Sequence, residues 1–463
     1  MARFYVETLG CPKNDVDSDK LVGALASDGM EATADAADAD LIVVNTCAFI
    51  GAARQESIDT IFALHDQRKD GSKLVVTGCM AERYGDELAA ELPEVDQVAG
   101  FGEAFSVAPT ERDGTEQPTL RAGAEGGHSG GLERKLIPVS SAPLPDFDLL
   151  NLPRPATVAP WAYVKIAEGC DRSCGFCAIP SFRGPQRSRD VAQILDEVEQ
   201  TGAREIVLVA QDLASYGKDR PDELGAGAIV PLVDAVAAAV DRVRLLYLYP
   251  SDLSDELIDS MLRSGVPYFD LSLQHVSKPL LRRMRRWGDG ERFLDRIADI
   301  RDREPDAAFR SNFIVGYPGE TEDDHDQLLR FVEEAQLDWC GFFEYSREDG
   351  TYAADLDGEV PAGLMRERLA ELRELQDDIT AARRDALIGT EVEVLVDAPG
   401  VGRSHREAPE IDGVVHVSQN EAVGELVTVQ IVDALGPDLV AAGVDVDALD
   451  ESEFDDTDDE GGV

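Results

Sequence analysis

Three short apolar runs near the start of the chain, 3–9 (RFYVETL), 41–45 (LIVVN) and 73–78 (KLVVTG), are each followed within two residues by a cysteine: Cys11, Cys47 and Cys79. The runs are unbroken, as in strands buried on both faces, and an amphipathic stretch follows each. This pattern predicts an open parallel α/β sheet over residues 1–105. In such sheets the carboxyl ends of the strands lie along one edge, where ligands bind. The three thiols are therefore expected to converge on one rim. A lone thiol after a strand is ordinarily a small buried hydrophobe. Three at equivalent strand ends point instead to a shared metal, and thiolates suit iron–sulfur or zinc.

At 463 residues the chain is long enough for two to four domains. Its first residues, MARFYVETLG, show no charged leader ahead of an apolar segment, and no apolar run reaches the roughly 20 residues of a membrane helix. A cytoplasmic protein without a membrane partner is expected. Seven cysteines, an odd number, argue against a disulfide framework and for metal or catalytic thiols. The charge is extreme, with 92 acidic residues against 43 basic ones, of which only eight are lysine, and a formal net of -49. A surface of that sign repels nucleic acid in dilute salt, which disfavours a simple electrostatic DNA binder. Acidity spread along the whole chain reads as a halophilic adaptation, in which abundant salt screens fixed charge. Two arginine clusters, RGPQRSR (183–189) and LRRMRRWGD (281–289), stand out against it. They read either as solvated helix faces or as docking patches for an anionic partner.

Residues 106–155 are rich in Gly, Pro and polar residues and read as a linker or poorly ordered insertion. Beyond them AYVKIAEGCDRSCGFCAIPSFRG places Cys170, Cys174 and Cys177 in a Cys-x3-Cys-x2-Cys spacing directly after a strand. Three thiolates hold three corners of a 4Fe-4S cube and leave the fourth iron open for a ligand. A zinc site would want a fourth protein ligand close by, and no His or Cys follows in this segment. The runs REIVLVAQD, RVRLLYLYP, YFDLSLQ, AFRSNFIVG and DWCGFFEYS add to the first strand to give six βα units, a partial barrel over 156–380. Alternating runs over 384–447 read as a small β-barrel. The residues 448–463 form an acidic tail that is expected to be disordered.

The cysteine spacing, with the aromatic Phe176 before the third thiol, resembles the signature of the radical S-adenosylmethionine (SAM) enzymes. The resemblance implies that the open iron chelates SAM and that an electron from the cluster cleaves it to a 5'-deoxyadenosyl radical. IVGYPGET (314–321) and VAQDLASYG (209–217) resemble the family's SAM-contacting strand ends, so Phe176, Gln211, Gly316 and Glu320 are expected SAM contacts. The preceding domain narrows the resemblance to the methylthiotransferases. In these, Cys11, Cys47 and Cys79 would hold an auxiliary 4Fe-4S cluster, while Cys170, Cys174 and Cys177 hold the SAM-binding one. One SAM would methylate the sulfur carried on the auxiliary cluster, and another would supply the radical. The C-terminal portion is similar to a TRAM domain.

LGCPKN (9–14), LQHVS (273–277) and APEIDGVVHV (408–417) resemble the RimO-like branch, which modifies an aspartate of the ribosomal small-subunit protein twelve. The MiaB-like branch, which modifies a tRNA adenosine, typically has Gly-Cys-Gln-Met-Asn at the first of these places. Reduced ferredoxin or flavodoxin as electron donor, a sulfur donor and a monomeric state are implied partners and assembly. A ribosome-associated iron–sulfur protein without turnover is the reading from another class, and the complete SAM motif argues against it. Ser311 and Asn312 stand where the family commonly shows two threonines. Cys340 reads as a core thiol, His275 as either a pocket or a structural histidine, and His65 and His325 as surface residues. From the charge alone, the fold should need molar salt, because self-repulsion in dilute buffer opposes compaction. Melting temperatures should rise from low to molar potassium chloride; equal values would overturn the expectation.

Overall fold

The computed structural model describes residues 1–101, 103, 149–225 and 227–445. In the N-terminal domain, β1 (Arg3–Thr8), β2 (Glu31–Ala32), β3 (Leu41–Thr46), β4 (Lys73–Gly78) and β5 (Gln97–Val98) form one parallel sheet in the order β2-β1-β3-β4-β5. The helices α1 (Pro12–Ser27), α2 (Gly51–Gln67) and α3 (Cys79–Glu91) cover it. Alternate residues of the central strands face opposite layers. Ile42, Val44, Leu74 and Val76 pack with Ile61, Leu64 and Leu88, whereas Leu41, Val43 and Val75 pack with Leu21, Leu25 and Leu149. The whole of β3 is buried, which is why it reads as an uninterrupted apolar run. The edge strands β2 and β5 are two residues each and carry no such signal.

The second domain begins with β6 (Trp161–Lys165) and continues through strands Glu205–Val209, Arg242–Leu245, Tyr268–Gln274, Ala308–Val315 and Trp339–Glu344. These six parallel strands fall into two three-stranded sheets. The halves meet at a single bridge, Leu248 to Leu271, where Leu248 N–H donates to Asp270 O and Ser272 N–H donates to Leu248 O, both at 2.9 Å. Tyr247, just before the bridge, sits at φ 64°, a left-handed conformation that breaks the ladder there. Outward residues of the strands pack against the helices, while Tyr163, Val207, Val209, Leu246, Tyr268 and Trp339 line the inner face.

Helix Ala362–Asp385 lies along the last strand and leads into a closed five-stranded barrel, residues 391–441. Between its strands the segment 403–412 enters the inner face of the larger barrel. Tyr163 Oη donates to Pro409 O at 2.8 Å, Tyr268 Oη to Asp412 Oδ2 at 2.6 Å and Trp339 Nε1 to Arg406 O at 2.7 Å. Beneath them Glu205 accepts from Arg244 Nε at 2.8 Å and pairs with Arg403 Nη1 at 3.3 Å, all three side chains almost wholly buried. The linker expected over 106–155 lies outside the described residues up to 148. Its end, from Leu149, packs on α1, where Lys20 Nζ donates to Leu150 O and Arg154 pairs with Asp19. The expected tail also lies outside the described residues.

Burial alone would raise the Glu205 carboxyl, but Arg403 and Arg244 outweigh it and draw it down to about 2. A carboxylate held below its unfolded value contributes stability above about pH 4.5, and that contribution fades as the pH falls toward 2. Glu205→Gln should therefore cost about 3 kcal/mol at neutral pH, since it strands the buried Arg244 guanidinium and leaves Arg403 with Asp397 alone. The deficit in melting temperature should narrow below pH 4.5; a pH-independent deficit would refute the charge assignment.

Candidate active site

Cys11, Cys47 and Cys79 sit at the carboxyl ends of β1, β3 and β4, as the strand pattern requires. Cys11 is the N-cap of α1, with Pro12 in the first turn, where its missing N–H loses no helix bond and its fixed φ suits the helix. Gly10, at φ +106°, brings the chain against Cys47; a side chain there would lie 2.8 Å from Cys47 Cβ and 3.0 Å from its sulfur. Gly78, at φ +91°, passes Thr46 too closely for any Cβ, so Cys79 enters α3 beside the neighbouring strand end. Asn14 Nδ2 donates to Leu9 O at 2.7 Å and Thr46 O at 3.2 Å, tying two of these ends together. Cys47 lies within electrostatic reach of both other thiols, and burial pushes it up to about 11.

In the barrel, Cys170, Cys174 and Cys177 share the loop after β6. Gly175 is wedged between Tyr317 and Tyr352 with no space for a side chain, its N–H donating to Met284 O at 2.8 Å. Cys170 Sγ accepts from Arg172 N–H at 3.4 Å, and Arg286 Nη1 faces Cys174 Sγ at 3.4 Å. Burial pushes Cys170 up to about 11 and Cys177 to about 12. Thiols kept neutral by burial must give up protons to a metal, which repays the desolvation. Among the described residues no three His, Cys, Asp or Glu side chains close around a single ion. Three free thiols and a facing guanidinium at each site suit an anionic iron–sulfur cube, which spreads its ligands more widely than zinc does.

Buried polar groups join the N-terminal thiol site to the barrel, among them Asp17, Lys165 and Glu168, which the sequence did not single out. Arg183, at the end of α4 (Ile179–Arg183), donates through Nη2 to Cys79 Sγ at 2.9 Å and Asn14 Oδ1 at 2.8 Å. Through Nη1 it reaches Asp17 Oδ2 at 3.1 Å and Glu168 Oε1 at 2.9 Å. Lys165 pairs with the same two carboxylates, and Gln211 Nε2 donates to Glu168 Oε1 at 2.6 Å. Burial opposes charge on Glu168, yet Arg183 and Lys165 outweigh it and hold this carboxyl well below the usual range. Arg183 and Arg189 are 8% and 4% exposed, so the first arginine cluster is neither a solvated face nor a docking patch. Part of the second also turns inward: besides Arg286 at Cys174, Arg283 Nε donates to Pro318 O at 2.7 Å.

Of the expected SAM contacts, Phe176 packs partly buried on the barrel core, and Gln211 keeps a buried Oε1 with no protein donor. Gly316, at φ +81°, donates its N–H to Glu320 Oε2 at 2.6 Å, and Arg368 Nη1 holds the other oxygen of Glu320 at 2.7 Å. Thr321, with Asp324, caps the helix that follows. Asn312 Oδ1 is also buried without a donor. His275 is fully buried, accepting from Ser277 N–H at its Nδ1 at 3.0 Å, while its Nε2 has no protein partner and burial lowers it to about 4. His325, expected at the surface, is 2% exposed and contacts Glu371 at 2.9 Å, because its helix presents this face to Ala362–Asp385. Cys340 packs against the barrel core, and burial pushes its thiol well up.

A (βα) barrel with a three-cysteine loop after its first strand, followed by a small C-terminal β-barrel, defines the class of radical SAM enzymes. Comparison with known proteins agrees. Family models match residues 3–100 (Uncharacterized protein family UPF0004), 164–332 (Radical SAM superfamily) and 388–444 (TRAM domain). A relative from Anaeromyxobacter sp. (strain K), named ribosomal protein uS12 methylthiotransferase RimO, is 42% identical over 95% of this chain and 92% of its own. A Saccharopolyspora erythraea protein of the same name is 40% identical over 96% and 95%. The solved radical SAM methyltransferase TsrM from Kitasatospora setae overlaps 92% of this chain and 84% of its own at 14% identity, with a TM-score of 0.48. The chain belongs to the RimO family of radical SAM methylthiotransferases.

Because the two thiol sets belong to separate folding units, losing one should spare the other. Cys11→Ala should lower bound iron and sulfide yet still release 5'-deoxyadenosine from SAM, with no methylthio transfer. Cys174→Ala should abolish both activities. Full iron content and full transfer in Cys11→Ala would make Cys11 a packing residue.

Proposed function

We propose that this enzyme attaches a methylthio group to the β-carbon of an aspartate in ribosomal protein uS12, using two 4Fe-4S clusters held by Cys11/Cys47/Cys79 and Cys170/Cys174/Cys177. The observation that carries the reading is the near full-length similarity to relatives named for uS12. The buried network from Cys79 through Arg183 and Glu168 to Gln211 supports it, since it ties the N-terminal thiol site to the barrel strand end that carries Gln211. When bound, the clusters and SAM supply the hydrogen-abstracting radical and the sulfur that is inserted.

The chain's own residues orient and enclose these groups. Gln211, with its free Oε1, and the Gly316 turn lie at ends of barrel strands, where they are positioned to hold SAM, with Phe176 beside it. Glu320 acts by fixing the Gly316 turn, and Arg368 fixes Glu320. The 403–412 segment fills the inner face of the barrel, and α1 leans on β6, so the barrel interior is closed to water from that side. Exclusion of water is what a radical intermediate requires. Arg286 and Arg183 offset the charge of thiolate-held clusters. Reduced ferredoxin or flavodoxin is the proposed electron donor, with a separate sulfur donor, and the enzyme works in the cytoplasm as a monomer; no helix among the described residues is long and apolar enough to cross a membrane.

The acidic chain suits a basic ribosomal protein better than tRNA phosphate. Deletion of the gene should remove a methylthio mass increment from uS12 and leave tRNA adenosines unchanged, as read by mass spectrometry of both. Loss of the tRNA modification instead would assign the enzyme to the MiaB-like branch.

A further inference from the structure

One loop of the barrel, residues 345–353, reaches the neighbours of Cys47 on one side and of Cys174 on the other, and Glu348 is its pivot. Tyr345 N–H donates to Val315 O at 2.8 Å, which ties the start of the loop to the strand end that carries the Gly316 turn. At the far end Ala353 N–H donates to Gly175 O at 2.7 Å, beside the Tyr352 ring that helps to wedge Gly175 between Cys174 and Phe176. Between these ends the loop grips the N-terminal domain. Ser346 Oγ accepts the Gly51 N–H at 3.2 Å at the start of α2. Glu348 Oε2 accepts from Arg54 Nη1 of α2 at 2.5 Å and from Arg83 Nη1 of α3 at 2.7 Å. Arg83 Nη1 also donates at 3.0 Å to the carbonyl of Ala48, the residue after Cys47.

Glu348 belongs to the polar run SREDG, yet it is 3% exposed. Its remaining acceptors are used as well: Oε1 takes Ser346 Oγ at 2.6 Å, and its carbonyl takes Thr351 Oγ1 at 2.7 Å. A buried carboxylate facing two guanidinium groups from another domain adds little net stability, because desolvation consumes most of the attraction. It tolerates no slippage, because a shift strands the charges. The contact therefore fixes distance more than it fixes stability. The Arg183 network meets the barrel at Glu168, ahead of Cys170, whereas the Glu348 loop meets it inside the three-thiol loop itself.

We infer that Glu348 is a positioning residue that sets the spacing of the two thiol sites, so that chemistry begun at one is completed at the other. The inference rests on the two-cluster reading above. The loop carries this spacing from Arg54 and Arg83 to Gly175 through its own backbone, so Glu348 acts without touching either set of thiols.

The test uses the full-length, cluster-loaded enzyme and Glu348→Gln, which keeps the shape of the side chain and removes its charge. Hydrogen exchange is read at the Gly51 and Ala353 amides, and 5'-deoxyadenosine released is compared with methylthio groups transferred to uS12. Iron content and SAM cleavage should persist, because Gly175 N–H keeps its bond to Met284 O. Exchange at both amides should quicken by about tenfold or more, since a broken buried pair lets the loop open locally. The ratio of 5'-deoxyadenosine to product should rise by about tenfold or more, the mark of misplaced partners. Arg54→Gln, at the more exposed of the two arginines, should move exchange and ratio the same way by a smaller factor. A Glu348 that only stabilises the fold would lower the melting temperature and leave the ratio and the Ala353 amide unchanged, which overturns the inference. Loss of iron from Glu348→Gln together with wild-type behaviour in Arg54→Gln overturns it too. Wild-type enzyme that transfers nothing to uS12 would overturn the proposed function instead, and the two amides still decide whether Glu348 links the sites.

Discussion

The guanidinium of Arg183 is the contact on which the rest of the site depends. It is buried, and it touches Cys79, Asn14 and Asp17 from the N-terminal domain and Glu168 from the barrel. Arginine suits such a post because its planar fork offers several donors in fixed directions and stays charged when desolvated. Lysine could satisfy one or two of these partners, as Lys165 does alongside it, but could not span four. The consequence is geometric: the thiol of Cys79 and the side chain of Gln211 are set relative to each other through two intervening groups. A change at Arg183 or Glu168 would be felt on both sides of the domain seam.

The same economy of charge runs through the interior. The outer surface is crowded with carboxylates, yet the buried arginines, Arg183, Arg189, Arg244 and Arg403 among them, each find acid partners inside. At the far end of the barrel Glu205 binds Arg244 and Arg403, anchoring the 403–412 segment and with it the C-terminal barrel. Ion pairs of this depth contribute little net stability, because desolvation consumes most of the attraction. Their value lies in register: a slipped arrangement would strand a buried charge. The domains therefore meet in one way, with Cys79 of one and Glu168 of the other held across the same seam.

Much of this was legible in the sequence, and the limits have physical reasons. The parallel sheet and the barrel strands show as apolar runs because they are buried on both faces, and the thiol rim follows from cysteines at equivalent ends. The bridge at Leu248 and Leu271 was not legible, since a break in a ladder depends on one positive-φ residue, Tyr247, that carries no sequence mark. The first arginine cluster, and the inward part of the second, escaped the sequence reading for a related reason. Charge along a helix looks the same whether its counter-ions are water or carboxylates from another domain, and Asp17 lies far from Arg183 in the chain. His325 shows the same failing: it belongs to a polar stretch, EDDHDQ, but occupies the one face of the helix that meets another helix.

Each thiol set is faced by an arginine, Arg183 at Cys79 and Arg286 at Cys174, and both arginines are held by further bonds, to carboxylates or to the Ser272 carbonyl. Charge compensation at the thiols is thus assigned to cations with fixed second partners, which keeps them from following a substrate in or out. Lys13 adds a further cation at the Cys11 end of the rim, its ammonium set against the Tyr247 ring. Positive charge from three side chains thus borders the places where thiolates would gather, and each of the three is fixed by a contact other than the thiols themselves.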